Sequence, residues 1–179
     1  MALCAALLAG CETGNAKYTE SGGPRSLIST DKINIADWNK AADALVDSLI
    51  SSGAFENFKS KPVIIQVSRI VNRTSQRVDT DLLTKRITIA LNNSKLAIAK
   101  TDDPLSKELA EYQNFAGGKG GVPAASAALS GKIIEDREKV GGKTEVTYVF
   151  QLSLNAGGLA IWEDQRQITK QSEKTFLGL

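Results

Sequence analysis

From Val146 to Leu154 the chain alternates strictly. Val146, Tyr148, Phe150, Leu152 and Leu154 are large and apolar, with Thr147, Val149, Gln151 and Ser153 between them. Successive side chains of an extended strand leave on opposite faces, so this period of two specifies a strand with one buried face. A sheet with a buried face needs a cover. At 179 residues the chain can supply that cover from its own helices within one domain.

Helical spacing appears at Trp38, Ala42, Leu45 and Leu49, which predicts a helix from about Ala36 to Ser52 with Gly53 as its stop. The β-branched run Val63–Ile70 reads as a buried strand, and Asn72-Arg73-Thr74-Ser75-Gln76-Arg77 as a loop. Asp79 or Thr80 can cap a second helix, whose Leu83, Ile87, Ala90 and Leu91 share one face before Asn92-Asn93-Ser94 ends it. Lys95–Lys100 is a short strand. Asp103-Pro104 opens a third helix running to about Asn114, and Gly117–Gly121 breaks it into a loop. Strands follow at Ala128–Asp136, around Val146–Leu154, and at Leu159–Thr169 after the turn Asn155-Ala156-Gly157-Gly158. The order predicts an α/β fold: a mixed β-sheet with helices packed against it, in a single domain over residues 31–179. Aromatics are only 6% of the chain, so the core must be largely aliphatic.

The same residues restrict the chemistry. Histidine is absent, which removes the commonest general base and metal ligand. The only cysteines, Cys4 and Cys11, lie at the N-terminus, so the body has no thiol nucleophile, disulfide or soft-metal site. Gly117–Gly121 lacks the Gly-x4-Gly-Lys-Ser/Thr spacing of a phosphate loop. Glu135-Asp136 and Glu163-Asp164 are adjacent on strands and therefore point to opposite faces, unlike a catalytic carboxylate pair. Trp162 reads as a sheet-face packing residue. No enzyme, metal, cofactor or small-molecule substrate is expected. With 22 basic and 20 acidic residues, the net charge of +2 gives no basis for nucleic-acid binding. Arg69, Arg73 and Arg77 are either an anion- or partner-binding cluster or a solvated rim.

Ala2–Ala9 is an uncharged apolar run. It falls short of the ~20 residues a spanning helix needs but suits the ~7–15-residue core of an export signal. Leu8-Ala9-Gly10-Cys11 resembles the bacterial lipobox, whose cysteine accepts a diacylglyceryl group before a peptidase cuts ahead of it. Residues 1–10 are thus expected to be a lipoprotein signal peptide and Cys11 the lipidated start of the mature chain. No Lys or Arg precedes Cys11, so the true start is expected upstream of Met1. Glu12, where Asp would retain an enterobacterial lipoprotein at the inner membrane, favours the outer membrane by resemblance to those sorting rules. Two or more acyl chains make such an anchor stable. Residues 11–30 carry few apolar side chains and read as a flexible tether, of which Glu12–Ser29 reaches roughly 60 Å fully stretched at ~3.5 Å per residue.

Taken in order, Leu8-Ala9-Gly10-Cys11, Asp37-Trp38-Asn39, Asn72-Arg73-Thr74, Ile89-Ala90-Leu91-Asn92-Asn93 and Ile161-Trp162 resemble the LpoB-type lipoproteins that activate penicillin-binding proteins. The resemblance implies a domain like the N-terminal domain of TolB. It also implies an outer-membrane anchor facing the periplasm and a non-enzymatic role: stimulating a bifunctional class A penicillin-binding protein. The expected contact residues are Asn72, Arg73, Thr74, Gln76, Arg77, Gln165 and Arg166. Enterobacterial members carry a long Pro-rich tether, whereas here it is short and holds only Pro24. That keeps a rival open: a structural or assembly lipoprotein of an outer-membrane secretion or envelope complex, similar in fold to the curli-secretion lipoprotein.

Overall fold

The computed structural model describes residues 16–20, 23, 26–30, 32–100, 108, 111, 112, 115 and 123–173. The signal, Cys11 and the loop Gly117–Gly121 lie outside the described residues. So does most of the helix expected over Asp103–Asn114, within which Glu108, Glu111 and Tyr112 are helical and exposed.

The described elements run α1 (Ile35–Ser51), β1 (Val63–Val67), β2 (Val71–Arg73), α2 (Thr80–Ser94), β3 (Ala97–Lys100), β4 (Ala127–Val140), β5 (Lys143–Ala156) and β6 (Leu159–Glu173). They form one six-stranded sheet of order β3-β1-β4-β5-β6, with β2 beside β4. β1 pairs parallel to β3 and β4, β2 parallel to β4, and β4, β5 and β6 antiparallel. The mixed sheet with helices on it is the architecture the alternation and helical spacings predict.

Local chemistry sets the helix ends. Asn34 and Asp37 form a reciprocal capping box on α1: the Asp37 N–H donates to Asn34 Oδ1 at 3.0 Å and the Asn34 N–H to Asp37 Oδ2 at 2.8 Å. Asp79 caps α2, and Lys95 ends it in the left-handed conformation at φ 61°. Trp38, Ala41, Ala42, Leu45, Val46 and Leu49 of α1 are buried, as are Leu83, Ile87 and Leu91 of α2. They pack with Leu129, Ile133, Val146, Tyr148, Phe150, Leu152 and Leu154 in one core. Arg86 of α2 reaches Asp43 of α1 with two hydrogen bonds, 2.9 and 2.6 Å, tying the helices together.

Two elements differ from the sequence expectation. The run Val63–Ile70 is not one strand. Continuous alternation would have turned Arg69 inward and Ile70 outward; instead the chain bulges through Ser68–Ile70. Val67 pairs with Leu129 and Val71 already with Lys132. The extra residue shifts the phase, so Ile70 is buried and Asn72 and Arg73 lie in β2 rather than in a loop. Gly131 makes room for this. A Cβ there would stand 2.5 Å from Leu152 Cδ2, 2.6 Å from the Gln151 carbonyl oxygen and 3.0 Å from Ile70 Cδ1. Second, β4 extends beyond Asp136 and β5 begins before Val146. The two join through Gly141-Gly142 at φ 55° and 88°, a left-handed pair suited to glycine in a tight hairpin.

Candidate functional site

α1 and α2 cover one face of the sheet. The other is uncovered among the described residues, and register decides what it presents. On β5, Thr147, Val149, Gln151, Ser153 and Asn155 leave opposite to the buried row. Their β6 neighbours form a polar ladder: Thr147 with Thr169 at 2.9 Å, Gln151 with Gln165 at 2.8 Å, and Ser153 with Glu163 at 3.0 Å. β4 adds Ser130 and Lys132, and β2 adds Val71 and Arg73.

An open groove of about 880 Å³ runs across these strands, lined by Arg73, Lys132, Gln151, Ser153, Glu163 and Gln165 among others. It lies where the Ser68–Ile70 bulge leaves the flank of Ser130 and Gly131 without a paired strand, and where small Ser130 and Ser153 sit between longer neighbours. Arg73 and Lys132 stand on one wall and Glu163 on the other, where Asp164, already paired with Arg166, also reaches the lining. Val71 is the register partner of Lys132, so Arg73, two residues on, is its diagonal neighbour on the same face.

The segment after β2 is held by its own side chains. Asn72 Oδ1 accepts from the Thr74 N–H at 2.9 Å and from Thr74 Oγ1 at 2.7 Å, while Asn72 Nδ2 donates to the Gln76 carbonyl at 2.8 Å. Glu135 accepts from both the N–H and the hydroxyl of Ser75, at 2.8 and 2.7 Å, and pairs with Arg137 at 2.9 Å. Burial alone would push the Glu135 carboxyl up, but the Ser75 hydrogen bonds and the Arg137 charge outweigh it and hold the carboxyl below its ordinary value. Gln76 Oε1 accepts from the Ile33 N–H at 3.3 Å, joining this segment to the point where the preceding chain enters the domain.

The nominated residues therefore divide. Arg73 and Gln165 meet in the groove. Asn72, Thr74 and Gln76 shape the turn behind it. Arg77 is exposed outside the groove. Arg166 is separated from its neighbour Gln165 by the pleat: it lies on the helix side and forms an ion pair with Asp164 at 3.0 Å. Burial raises the Asp164 carboxyl, but hydrogen bonds from Ser48 and the Gln165 N–H, together with Arg166, hold it below the usual range. Sequence reasoning does not single out Lys132, Gln151 and Ser153; their signal is the polar phase of strands whose apolar phase marks the core. Among the described residues no cluster of carboxylates, His or Cys could hold a metal ion, and no helix is long and apolar enough to cross a membrane.

Fold and face together define a helix-backed mixed-sheet domain whose second sheet face is polar, grooved and unoccupied by its own described elements. The chain belongs to the peptidoglycan-synthase activator LpoB family, whose model matches residues 37–168. Among solved structures it is similar to the LpoB C-terminal domain from Salmonella enterica, at 16% identity and TM-score 0.49, over 74% of this chain and 98% of that one. The Escherichia coli LpoB C-terminal domain aligns at 18% identity and TM-score 0.44, over 74% and 98%. Lipoprotein GNA1162 from Neisseria meningitidis aligns at 12% identity and TM-score 0.42, over 62% and 85%. No curated protein matches the chain.

Proposed function

We propose that this chain is a lipid-anchored lipoprotein that binds and activates a bifunctional class A penicillin-binding protein, and has no catalytic residues of its own. Membership of the activator family over residues 37–168 is the observation that carries the reading. The uncovered, rigidly supported sheet face is the surface on which it acts, with Arg73 and Gln165 in the contact and Asn72, Thr74 and Gln76 holding its shape. Cys11 carries the lipid, placing the domain on the periplasmic side of the outer membrane.

The test is direct. Full-length lipoprotein in detergent is added to the purified synthase from the same organism, and glycan polymerisation and peptide cross-linking are followed on lipid-linked precursor. Both rates are expected to rise; unchanged rates would refute the activator role. Cys11→Ser is expected to abolish palmitate incorporation in cells. The short tether, with its single Pro24, favours a second reading as an assembly lipoprotein of an envelope complex. Ring-sized oligomers in mass photometry, with no stimulation of the synthase, would select it.

A further inference from the structure

The arginines of the described domain are not treated alike. Arg69 pairs with Asp81, Arg86 with Asp43, Arg137 with Glu135 and Arg166 with Asp164. Arg73 and Arg77, at either end of the turn after β2, have no acidic side chain paired with them among the described residues, and neither does Lys132. Most lysines among the described residues have no ion pair either, but Arg73 and Lys132 stand side by side on neighbouring strands of one groove. Only Arg73 and Lys132 of these three line the groove.

Their supports are already engaged elsewhere. The turn behind Arg73 is closed by Asn72 on Thr74 and Gln76, and pinned by Glu135 on Ser75. The Gln151–Gln165 and Ser153–Glu163 pairs across the groove satisfy one another. What the groove leaves unmet is positive charge on one wall, carried by a planar guanidinium and an ammonium on neighbouring strands.

The geometry points to an acidic, extended peptide segment of the partner protein as the groove's occupant, with one carboxylate side chain seated on Arg73 and Lys132. Arg73 receives it through two parallel N–H···O bonds, and Lys132 adds a point charge. The segment crosses β4 and β5 over the small Ser130 and Ser153, and its acidic end avoids Glu163 on the far wall. This rests on the reading that the open face contacts the synthase.

The test measures binding of full-length lipoprotein, in detergent, to the purified class A synthase. Arg73→Glu and Lys132→Glu are each expected to weaken binding tenfold or more. Arg73→Lys, which keeps the charge but loses the fork, should weaken it severalfold. Arg77→Glu, outside the groove, should stay within twofold. Unchanged far-ultraviolet circular dichroism and melting temperature establish that each variant is folded. Wild-type binding with Arg73→Glu and Lys132→Glu both within twofold would overturn the acidic-segment assignment and leave the activator reading standing. The same result with loss of co-sedimentation on purified peptidoglycan would reassign the groove to the anionic wall polymer. No binding by the wild-type protein would remove both.

Discussion

The two faces of β4 and β5 are built from the same residues in alternation, yet they answer to different constraints. On the covered face Val146, Tyr148, Phe150, Leu152 and Leu154 are at most 4% exposed and meet α1 and α2. On the open face Thr147, Gln151 and Ser153 hydrogen-bond their cross-strand partners, and Ser153 also accepts from Asn155 of its own strand. Burial of apolar area is non-directional and large, so the covered face decides how the chain folds. The ladder's hydrogen bonds replace bonds to water and contribute little net stability. The open face can therefore vary while the fold persists.

The contrast is broken most severely at adjacent positions. Phe150→Ala empties a core site and should cost about 4 kcal/mol of unfolding free energy, whereas Gln151→Ala next to it should change stability by about 0.5 kcal/mol or less. Urea titration of the two variants measures the difference; equal effects would mean the faces are not energetically distinct. The next effect is at the border. Lys170, on the helix side of β6, donates to Asp37 Oδ2 at 2.5 Å and to the Lys32 carbonyl at 2.8 Å, with its side chain 7% exposed. Lys170→Met would leave Asp37 without its cation and should cost about 3 kcal/mol. Since Lys170 bolts the last strand to the start of α1, amide exchange should accelerate first around residues 32–37.

How far the sequence foretold this depends on the range of the cause. The β5 alternation, the buried stripe of α1 and the Asp79 cap are local and were legible. The bulge at Ser68–Ile70 was not, because a β-branched run favours an uninterrupted strand and the reason to break it is Gly131, distant in sequence. Asn72 and Arg73 read as loop because they are polar, although β2 needs only backbone pairing and one inward side chain. Exposure alone groups Gln165 with Arg166, although the period of two puts them on opposite faces. The Lys170–Asp37 pair spans 133 positions and has no sequence signature. Of the residues that line the groove, Arg73 and Gln165 are among those expected from type and exposure, and the rest follow the polar phase of the strands.

Gly131 sharpens the comparison because it serves both faces: its missing side chain admits Ile70 to the core and sets the bulge that opens the groove. Gly131→Ala should destabilise by about 2 kcal/mol, since the added carbon meets backbone as well as the Leu152 side chain. If the bulge relaxes to a regular strand in response, Ile70 turns outward. Ile70→Ala in that background should then cost less than about 1 kcal/mol, against about 3 kcal/mol in the wild type.

The smallest effect separates the turn from the core by pH. The Glu135 carboxyl is held below its ordinary value of 4.5 in the folded protein by Ser75 and Arg137. As the pH falls through the ordinary value, the unfolded chain takes up a proton that the folded chain still refuses, so stability declines. The decline ends once the folded carboxyl is itself protonated. The contribution is thus complete above the ordinary carboxylate range and lost progressively below it. Glu135→Gln should lower stability at neutral pH by about 1 kcal/mol and flatten the acid limb of the stability curve relative to wild type. Because Glu135 grips the turn that carries Arg73 rather than the helices, exchange at the Ser75 amide should rise in this variant while amides of β5 stay protected. Equal loosening of both would mean that turn and core unfold as one unit.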